Sequence, residues 1–268
     1  MAIMSLHSAA SALSALNTSL DVTANNLANV NTPGFKPSRV NFEDLLYVER
    51  AQPGIESAYG QTRPIGLYVG LGTRVTGTQT EFTQGNPIPT GNEFDLMIDG
   101  RHSFFKVESP KSPGGFAYTR AGGFVKNKDG QLVLANNIGQ KLIPEIVLPP
   151  DAMQVTIDAS GKVSYTTSAS STANELTRLT LTNFINPAGL KSLGGNLYEE
   201  TAASGQPLDG NPGDDNFGTI QQGSIEASTV DPTKELIDLI KTQRAFEMNS
   251  NTIRTADATL QTVAQLKR

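Results

Sequence analysis

The side chains best suited to catalysis are scarce in this chain, and their settings disfavour chemistry. Its 268 residues include only two histidines, His7 and His102, and no cysteine, so a histidine relay or a thiolate metal site is not expected. Glu43 and Asp44 would be a carboxylate pair, but adjacent residues of an extended segment point to opposite sides. His102 follows an Asp-Gly turn, where solvent exposure is the simpler interpretation. We predict no catalytic residues.

The remaining candidates for chemistry are an acidic loop and two glycine pairs. Asp209, Asp214 and Asp215 lie in a polar loop, but this loop lacks the ligand spacing and the flanking helices of a calcium-binding EF-hand. Gly114-Gly115 and Gly122-Gly123 are not followed by the helix that phosphate-binding motifs require. We therefore predict no metal site and no cofactor, and a protein that is not an enzyme.

The composition of the chain narrows the choice of partner. Charged residues make up 18% of the sequence and the net charge is −5, which argues against nucleic acid because phosphate neutralisation needs a basic surface. No run of eighteen apolar residues is present, so no membrane span is expected. A cleaved signal peptide is not expected either, because the first lysine is Lys36 and serines such as Ser8 and Ser11 interrupt the apolar start.

The sequence predicts two long helices, one at each end of the chain. Near the N-terminus, apolar or small residues recur at steps of three and four: Leu6, Ala9, Leu13, Leu16, Leu20, Thr23, Leu27 and Val30. Near the C-terminus, a seven-residue step relates Leu239, Phe246, Ile253 and Leu260, and Ala256 and Val263 fill the alternate row. We call the Leu, Ile, Val and Phe members of these rows the helix seam.

The helix seam predicts an interaction between helices. An apolar stripe on a lone helix is unstable in water, and a spacing near seven residues suits a facing helix. We predict that the two terminal helices pair as a coiled coil and that this seam supports assembly of further copies. The alternative interpretation is that both helices are ordinary core elements that cover a sheet.

The ends of the predicted helices carry recognisable signals. The first helix, from residue 3 to about 30, stops before Pro33, which cannot donate a backbone hydrogen bond. The second begins after Asp231, which can cap the free amides, with Pro232 in the first helical position. It is predicted to run to the last residue, with the basic pair at 267–268 near the negative end of the helix dipole.

Between the helices the sequence predicts an extended arm and a β-rich region. Residues 35–75 are rich in Gly and Pro but contain apolar residues, so we expect an irregular arm that packs on something. Residues 75–225 show strand signals, including a hairpin in which 153–157 and 162–165 flank a turn that ends at Gly161. The fold class is predicted to be α+β, with paired terminal helices, an extended arm and a central, mostly β domain.

The predicted domain boundaries follow these changes in pattern. They are residues 1–32 with 230–268 for the terminal helices, 33–75 with 205–229 for the arm, and 76–204 for the central β domain.

Several blocks of the sequence resemble the bacterial flagellar rod and hook protein family. The longest is residues 24–36, in which the family motif comprises Asn25, Asn26, Leu27, Asn29, Asn31, Thr32, Pro33, Gly34 and Phe35. Residues 94–100, 104–107 and 118–124 resemble the central β domain of the family, and residues 222–228 and 236–266 resemble its lead-in to the last helix and that C-terminal helix. The chain length and residues 66–75 are similar to those of distal-rod members.

The resemblance implies a structural role. It implies a subunit of the flagellar basal-body distal rod that polymerises helically into the hollow drive shaft, which transmits torque from motor to hook. The implied partners are further copies of the chain, other rod proteins, the hook protein, the surrounding ring proteins and the flagellar export apparatus. Neither nucleic acid nor a small-molecule substrate is implied. The implied location is the periplasm-spanning rod, reached by type III export without a cleaved signal peptide.

Alternatives within and outside the family remain open at this point. A proximal rod or hook subunit would share the same motifs. A secreted, β-rich enzyme acting on the cell wall would need a carboxylate pair or a metal set, and a trimeric coiled-coil adhesin would form small closed oligomers.

Overall fold

The computed structural model of the protein describes residues 2–55, 62–167 and 170–266. Part of the predicted arm, at 56–61, and the basic pair at 267–268 therefore lie outside the described residues. By their internal contacts, Met1–Ala28, Ser38–Gln79 and Asp231–Arg268 form one compact unit, and Asn29–Pro37 with Thr80–Val230 form a second. We call these the helical unit and the β-unit.

The helical unit contains the two terminal helices, α1 (Ala2–Ala28) and α2 (Pro232–Leu266). The predicted cap of α2 is present, because an Asp231 carboxylate oxygen accepts hydrogen bonds from the backbone amides of Thr233 at 2.9 Å and Lys234 at 3.3 Å. One boundary needs correction. Val30 lies in the turn that follows α1, so it is not part of the helix on which the seam was predicted.

The same unit contains four strands, where the sequence predicted an irregular arm. They are β1 (Ser38–Asp44), β2 (Tyr47–Ala51), β3 (Leu67–Gly70) and β4 (Thr73–Thr80). β1 pairs with β4, and β2 pairs antiparallel with β3. The frequent Gly and Pro residues hide this regularity, since the partner strand of β1 lies about thirty residues further along the chain and no local pattern reveals it.

The β-unit is built from short strands and one 3₁₀ turn at Pro187–Gly189. Its strands are β5 (Pro87–Pro89), β6 (Leu96–Asp99), β7 (Ser103–Glu108), β8 (Phe116–Thr119), β9 (Phe124–Lys126), β10 (Leu132–Leu134), β11 (Leu142–Ile143), β12 (Ala152–Ile157), β13 (Lys162–Thr167), β14 (Ser170–Arg178), β15 (Leu181–Asn183), β16 (Lys191–Gly194), β17 (Leu197–Glu199), β18 (Leu208–Gly210), β19 (Thr219–Gln222) and β20 (Ser224–Glu226).

The largest sheet of the β-unit has the order β16-β17-β8-β7-β15-β18, with β11 also paired to β7. A second sheet has the order β12-β13-β14, and two-stranded ladders join β19 to β6, β10 to β9 and β20 to β5. One apolar core serves these sheets; its fully buried members include Leu96, Ile98, Phe105, Val107, Phe124, Leu142, Leu179 and Leu181. A smaller aromatic cluster comprises Phe104, Tyr118, Phe184 and Tyr198.

These elements confirm the predicted α+β class with terminal helices and a mostly β centre. The predicted hairpin is present as β12 and β13, which pair antiparallel around Gly161. Residues 205–229, which the sequence analysis joined to the arm, belong by their contacts to the β-unit, where β18 pairs with β15. Over the residues that the structure describes, neither helix has the length of apolar sequence needed to cross a membrane.

Candidate assembly surface

The two terminal helices lie against one another in the helical unit, running in opposite directions. At one end the Asn26 side-chain amide of α1 donates to the Glu235 carboxylate in the first turn of α2, at 3.3 Å. At the other end, Met4 of α1 and Ala256 of α2 line the same groove. The structure therefore places the two terminal helices side by side; that the predicted stripes face one another and form an assembly seam remains a prediction.

The described seam residues on these helices are only partly covered within a single chain. Leu6, Leu13, Leu16, Leu20 and Leu27 of α1, and Leu239, Phe246 and Ile253 of α2, are half-buried. Leu260 and Val263 are exposed, with 38% and 62% of their surface accessible. A seam that served the single chain alone would bury its leucines fully, so apolar surface is left for another contact.

Among the described residues of the helical unit, the buried positions carry mostly small or polar side chains. They are Ala9, Ala15, Thr23 and Asn26 of α1, Val40 of β1 and Ala256 of α2. Ala9, Thr23 and Ala256 lie on the predicted helical rows, but the leucines of those rows were expected to contribute most of the binding energy. Small side chains allow the two helix backbones to approach closely. The recurrence of such residues every three to eight positions along α1 is the sequence feature that indicates this close approach.

Asn26 has a defined role in the helical unit. Its side chain is 2% exposed, accepts a hydrogen bond from the Ser38 amide at 3.0 Å and donates one to the Ser38 carbonyl at 2.9 Å. With its third bond, to Glu235, it ties the end of α1 to the start of β1 and the start of α2. A buried amide with both of its groups used is a strong positional constraint. Its motif neighbour Asn25 is exposed.

The rest of the motif forms a tight turn in the β-unit. The Thr32 amide donates to the Asn29 carbonyl at 3.1 Å, and the Thr32 hydroxyl contacts the Asn29 side chain. Gly34 has φ +71, and a Cβ atom there would lie 2.9 Å from the backbone of Ala121. Its amide donates to the Glu226 carbonyl at 2.9 Å. This position requires glycine for its backbone conformation and for space.

A buried charge cluster lies beside this turn in the β-unit. The carboxylate of Glu226 accepts hydrogen bonds from the Lys36 ammonium at 2.6 Å, from Nε of Arg120 at 2.8 Å and from the Gly85 amide at 2.7 Å. The Lys36 ammonium also donates to the Thr83 carbonyl. Burial lowers the pKa of Lys36 to about 8, since desolvation outweighs the attraction of Glu226, and the charge of Arg120 lowers it further.

Arg120 is the largest fully buried side chain of this cluster. Its remaining guanidinium groups donate to four further acceptors within the β-unit: the carbonyls of Arg101, Ser103 and Ile98, and the side chain of Gln84. No role for this cluster was predicted from the sequence. One feature of the sequence could have indicated the cluster: all three charged residues lie within the segments that resemble the family, next to apolar residues.

The residues first considered for chemistry have structural contacts instead. Asp209 accepts hydrogen bonds from the Thr182 hydroxyl at 2.5 Å and from Lys106 at 3.0 Å, within the β-unit. Glu43 pairs with Arg74 on neighbouring strands of the helical unit. Among the described residues, no group of three or more His, Asp or Glu side chains is placed to hold a metal ion. The described helices instead expose apolar side chains such as Leu260 and Val263, which is typical of a protein that contacts other molecules through its surface.

Three family models match different parts of the chain. A flagella basal body rod protein model matches residues 6–36, a flagellar hook protein FlgE/F/G D1 domain model matches 97–165, and a flagellar basal body rod FlgEFG protein C-terminal model matches 221–266. These matches fall on α1 with the glycine turn, on the β-unit and on α2.

Full-length relatives agree with the models. The flagellar basal-body rod protein FlgG of Buchnera aphidicola from Schizaphis graminum is 43% identical over 98% of this chain and 100% of its own length. FlgG of Agrobacterium fabrum is 43% identical over 93% of this chain and 94% of its own, and FlgG of Borreliella burgdorferi is 40% identical over 98% of both. The chain therefore belongs to the FlgE/F/G family of flagellar basal-body rod proteins, which are structural proteins and not enzymes.

Proposed function

We propose that this chain is a structural subunit of the distal rod of the bacterial flagellum. The observation that carries the proposal is its similarity, over nearly its whole length, to proteins named FlgG. The half-buried helix seam supports it, because a subunit of a polymer must leave apolar surface uncovered until its neighbours arrive. In this role the protein transmits torque through contacts and performs no reaction.

The polymer would be held together by the helical unit. We propose that α1 and α2 pair as a coiled coil and that their outward apolar faces contact neighbouring copies to form a hollow tube. Each fully buried leucine or phenylalanine contributes on the order of 1.5–3 kcal/mol. Several such contacts per subunit, repeated along the tube, resist shear. Contacts that join different surfaces of successive copies do not close and therefore produce filaments.

The remaining contacts are assigned to other parts of the chain. We propose that the arm at residues 35–75 bridges neighbouring subunits, and that the central β domain forms the outer layer of the tube. Other rod proteins, the hook protein and the ring proteins would be the partners at its ends and surface. The subunit would reach the periplasm-spanning rod through the flagellar export apparatus, without a cleaved signal peptide.

The seam can be tested with single substitutions in the full chain. Leu13→Asp or Ile253→Asp places a charge on a half-buried seam position, and the cost of desolvating that charge is expected to abolish filament formation. Ser14→Asp is the matched control, because Ser14 is exposed on the same turn of α1. Filaments are observed by electron microscopy under polymerising conditions, and circular dichroism reports whether the β-unit remains folded. Full-length filaments from both seam variants would contradict the proposal.

A further inference from the structure

One turn of the arm is bonded to a face of α1 within the helical unit. The turn is residues 70–73, which join β3 to β4. Side chains of His7, Ser8 and Ser11 on α1 bind it. Because these three residues are one, three and four positions apart, they lie within an arc of about 100° on the helix surface. We call the three side chains together with the turn the latch.

Two side chains of the latch bind consecutive carbonyl groups of the turn. The Nδ1 group of His7 donates to the Leu71 carbonyl at 3.1 Å, and the Ser8 hydroxyl donates to the Gly70 carbonyl at 3.5 Å. The serine that interrupts the apolar start of the sequence at this point therefore has a structural role, because its hydroxyl binds a backbone group of the arm.

Ser11 and Gly72 make the closest approach in the latch. The Ser11 hydroxyl accepts a hydrogen bond from the Thr73 amide at 3.3 Å and donates one to the Ser8 carbonyl at 2.9 Å. Gly72 has φ +113, and a Cβ atom there would overlap the Ser11 hydroxyl and lie 3.1 Å from Cα of Ser8. A larger residue at 72 would have to push the turn off the helix, so the latch requires glycine at this position.

A second attachment of the arm lies far from the latch on the same helix. Asn26 exchanges two hydrogen bonds with the backbone of Ser38, the first residue of β1. Ser8 and Asn26 are eighteen residues apart in one continuous helix, which separates the two attachments by about 27 Å along its axis. The arm is therefore bonded to α1 at two well-separated points.

The β2–β3 ladder beside the latch has little apolar burial of its own. Tyr47 of β2, with Leu67 and Tyr68 of β3, are 57%, 55% and 51% exposed. A two-stranded ladder is only marginally stable in water, so its order depends on what it is attached to. Gly70 is both the ladder partner of Tyr47 and the acceptor of the Ser8 hydroxyl, which joins the ladder directly to the latch.

We propose that the latch holds the β2–β3 ladder on α1 and makes the arm a brace along this helix. A brace that is joined to a rod at two points resists bending of the rod, whereas an arm joined at one point only follows it. This inference deepens the proposed function, and its consequence for the polymer rests on that function. The hydrogen bonds of the latch belong to the single chain and can be measured without filaments.

Hydrogen exchange of the full, soluble chain tests the latch. Gly72→Ala puts a methyl group against Ser11 and is expected to break the latch, so that the amides of residues 67–73 exchange about tenfold faster. Gly54→Ala is the matched control, because Gly54 of the arm also has a positive φ, +82, but a Cβ atom there would meet open space. This control is expected to leave exchange at 67–73 unchanged. Equal protection in the two variants would overturn the inference.

A milder substitution tests the same contact from the helix. Ser11→Ala removes the acceptor of the Thr73 amide and keeps a good helix former, so exchange at 67–73 is expected to rise severalfold while the circular dichroism spectrum is unchanged. Ser19→Ala, at a half-buried serine about two turns further along α1, is the control and should have no effect there. If Ser11→Ala exchanges no faster than Ser19→Ala, the latch is overturned, even where Gly72→Ala fails to fold.

Filament stiffness separates the brace from the rest of the proposed function. Filaments of Gly72→Ala are expected to bend more easily than those of Gly54→Ala, with a persistence length reduced severalfold in electron micrographs. Faster exchange with unchanged stiffness would overturn the brace and leave the rod subunit proposal intact. Failure of the unmodified protein to form any filament would overturn the rod subunit proposal, and hydrogen exchange would still decide the latch.

Discussion

At the scale of single residues, the β-unit buries charged side chains beside one tight turn, although moving a charge out of water is energetically unfavourable. Lys36 and Arg120 share one carboxylate, that of Glu226, and all three are fully buried. Burying charges is expensive even when they are paired, so such a cluster is weak evidence for stability and better evidence for a specified position. The cluster holds residues 33–37 and 223–230 side by side. Backbone hydrogen bonds also join these two segments.

The lowered pKa of Lys36 predicts a pH dependence of stability. Its pKa is about 8 in the folded protein and 10.5 in an ordinary setting, so between these values the unfolded chain binds more protons than the folded one. Stability therefore rises with pH across this window. We expect the free energy of unfolding to increase by about 1–2 kcal/mol between pH 8 and 9.5. This range lies below the pH at which Tyr118 and Tyr198, whose pKa values burial raises, begin to lower stability as pH rises.

Urea denaturation followed by circular dichroism checks this slope. Lys36→Met removes the titrating group and leaves Glu226 and Arg120 as a neutral pair, so the rise is expected to disappear relative to the unmodified protein. Lys126→Met, at an exposed position of β9, is the control and should retain the rise. If the Lys36→Met protein kept the same slope, the rise would have to come from another group.

The glycine turn permits a prediction that separates strain from steric clash. Gly34 and Gly91 both have φ +71, but a Cβ atom on Gly34 would strike the backbone of Ala121, whereas one on Gly91 would meet open space. Gly91→Ala is expected to cost about 1 kcal/mol from the backbone conformation alone. Gly34→Ala is expected to cost about 2 kcal/mol more, because backbone atoms must move.

Urea denaturation of the two variants gives this comparison directly, since both positions lie in the β-unit. The difference between them, rather than either value, measures the clash with Ala121. Equal losses of stability would show that the turn can shift and that glycine is needed there only for its positive φ.

At the scale of elements, the terminal helices were predictable because their signals are local. Each signal involves residues that are close together in the sequence. These signals are the cap at Asp231, the proline in the first helical turn, and apolar residues that recur every three or four positions. The hairpin of β12 and β13 was predictable for the same reason. The four strands of the arm were not, because β1 pairs with β4 across the intervening hairpin and only tertiary contact selects that partner.

The candidate assembly surface was predictable in part. The apolar spacing indicated which helix faces are involved, but side-chain type alone misjudged which positions are buried: the small residues Ala9 and Ala256 are covered and the leucines are half-covered. Burial depends on how closely two backbones approach, which a single helix cannot reveal. The cluster of Lys36, Arg120 and Glu226 escaped prediction because its members are separated by up to 190 residues.

At the scale of the whole molecule, exposed apolar side chains are concentrated on the helical unit. The arm adds Leu46, Ile65 and Leu67, which are 83%, 78% and 55% exposed, to those of α2. Exposing so many apolar side chains of one unit to water is unfavourable. Their exposure therefore implies that the monomer is not the final state of the protein. Those on the arm lie on or between the strands β1 to β3, so they can contact neighbours independently of the helices.

The arm provides the last prediction, which concerns the stiffness of the polymer. β2 and β3 pair with Ala51 opposite Leu67, so residues 52–66 can be replaced by Asn-Gly as a two-residue hairpin turn without changing the ladder. If the arm bridges neighbouring subunits, this deletion removes apolar contacts made by residues such as Ile55 and Ile65 and leaves the helix seam unchanged. Filaments are therefore expected to form at the normal concentration and to bend more easily, with a persistence length reduced severalfold in electron micrographs. Replacing the same residues with a Gly-Ser segment of equal length is the matched control for the apolar side chains, and it should soften the filament to the same degree. Unchanged stiffness in both variants would remove the bridging role from the arm, whereas loss of filaments in both would place the arm in the assembly contact itself.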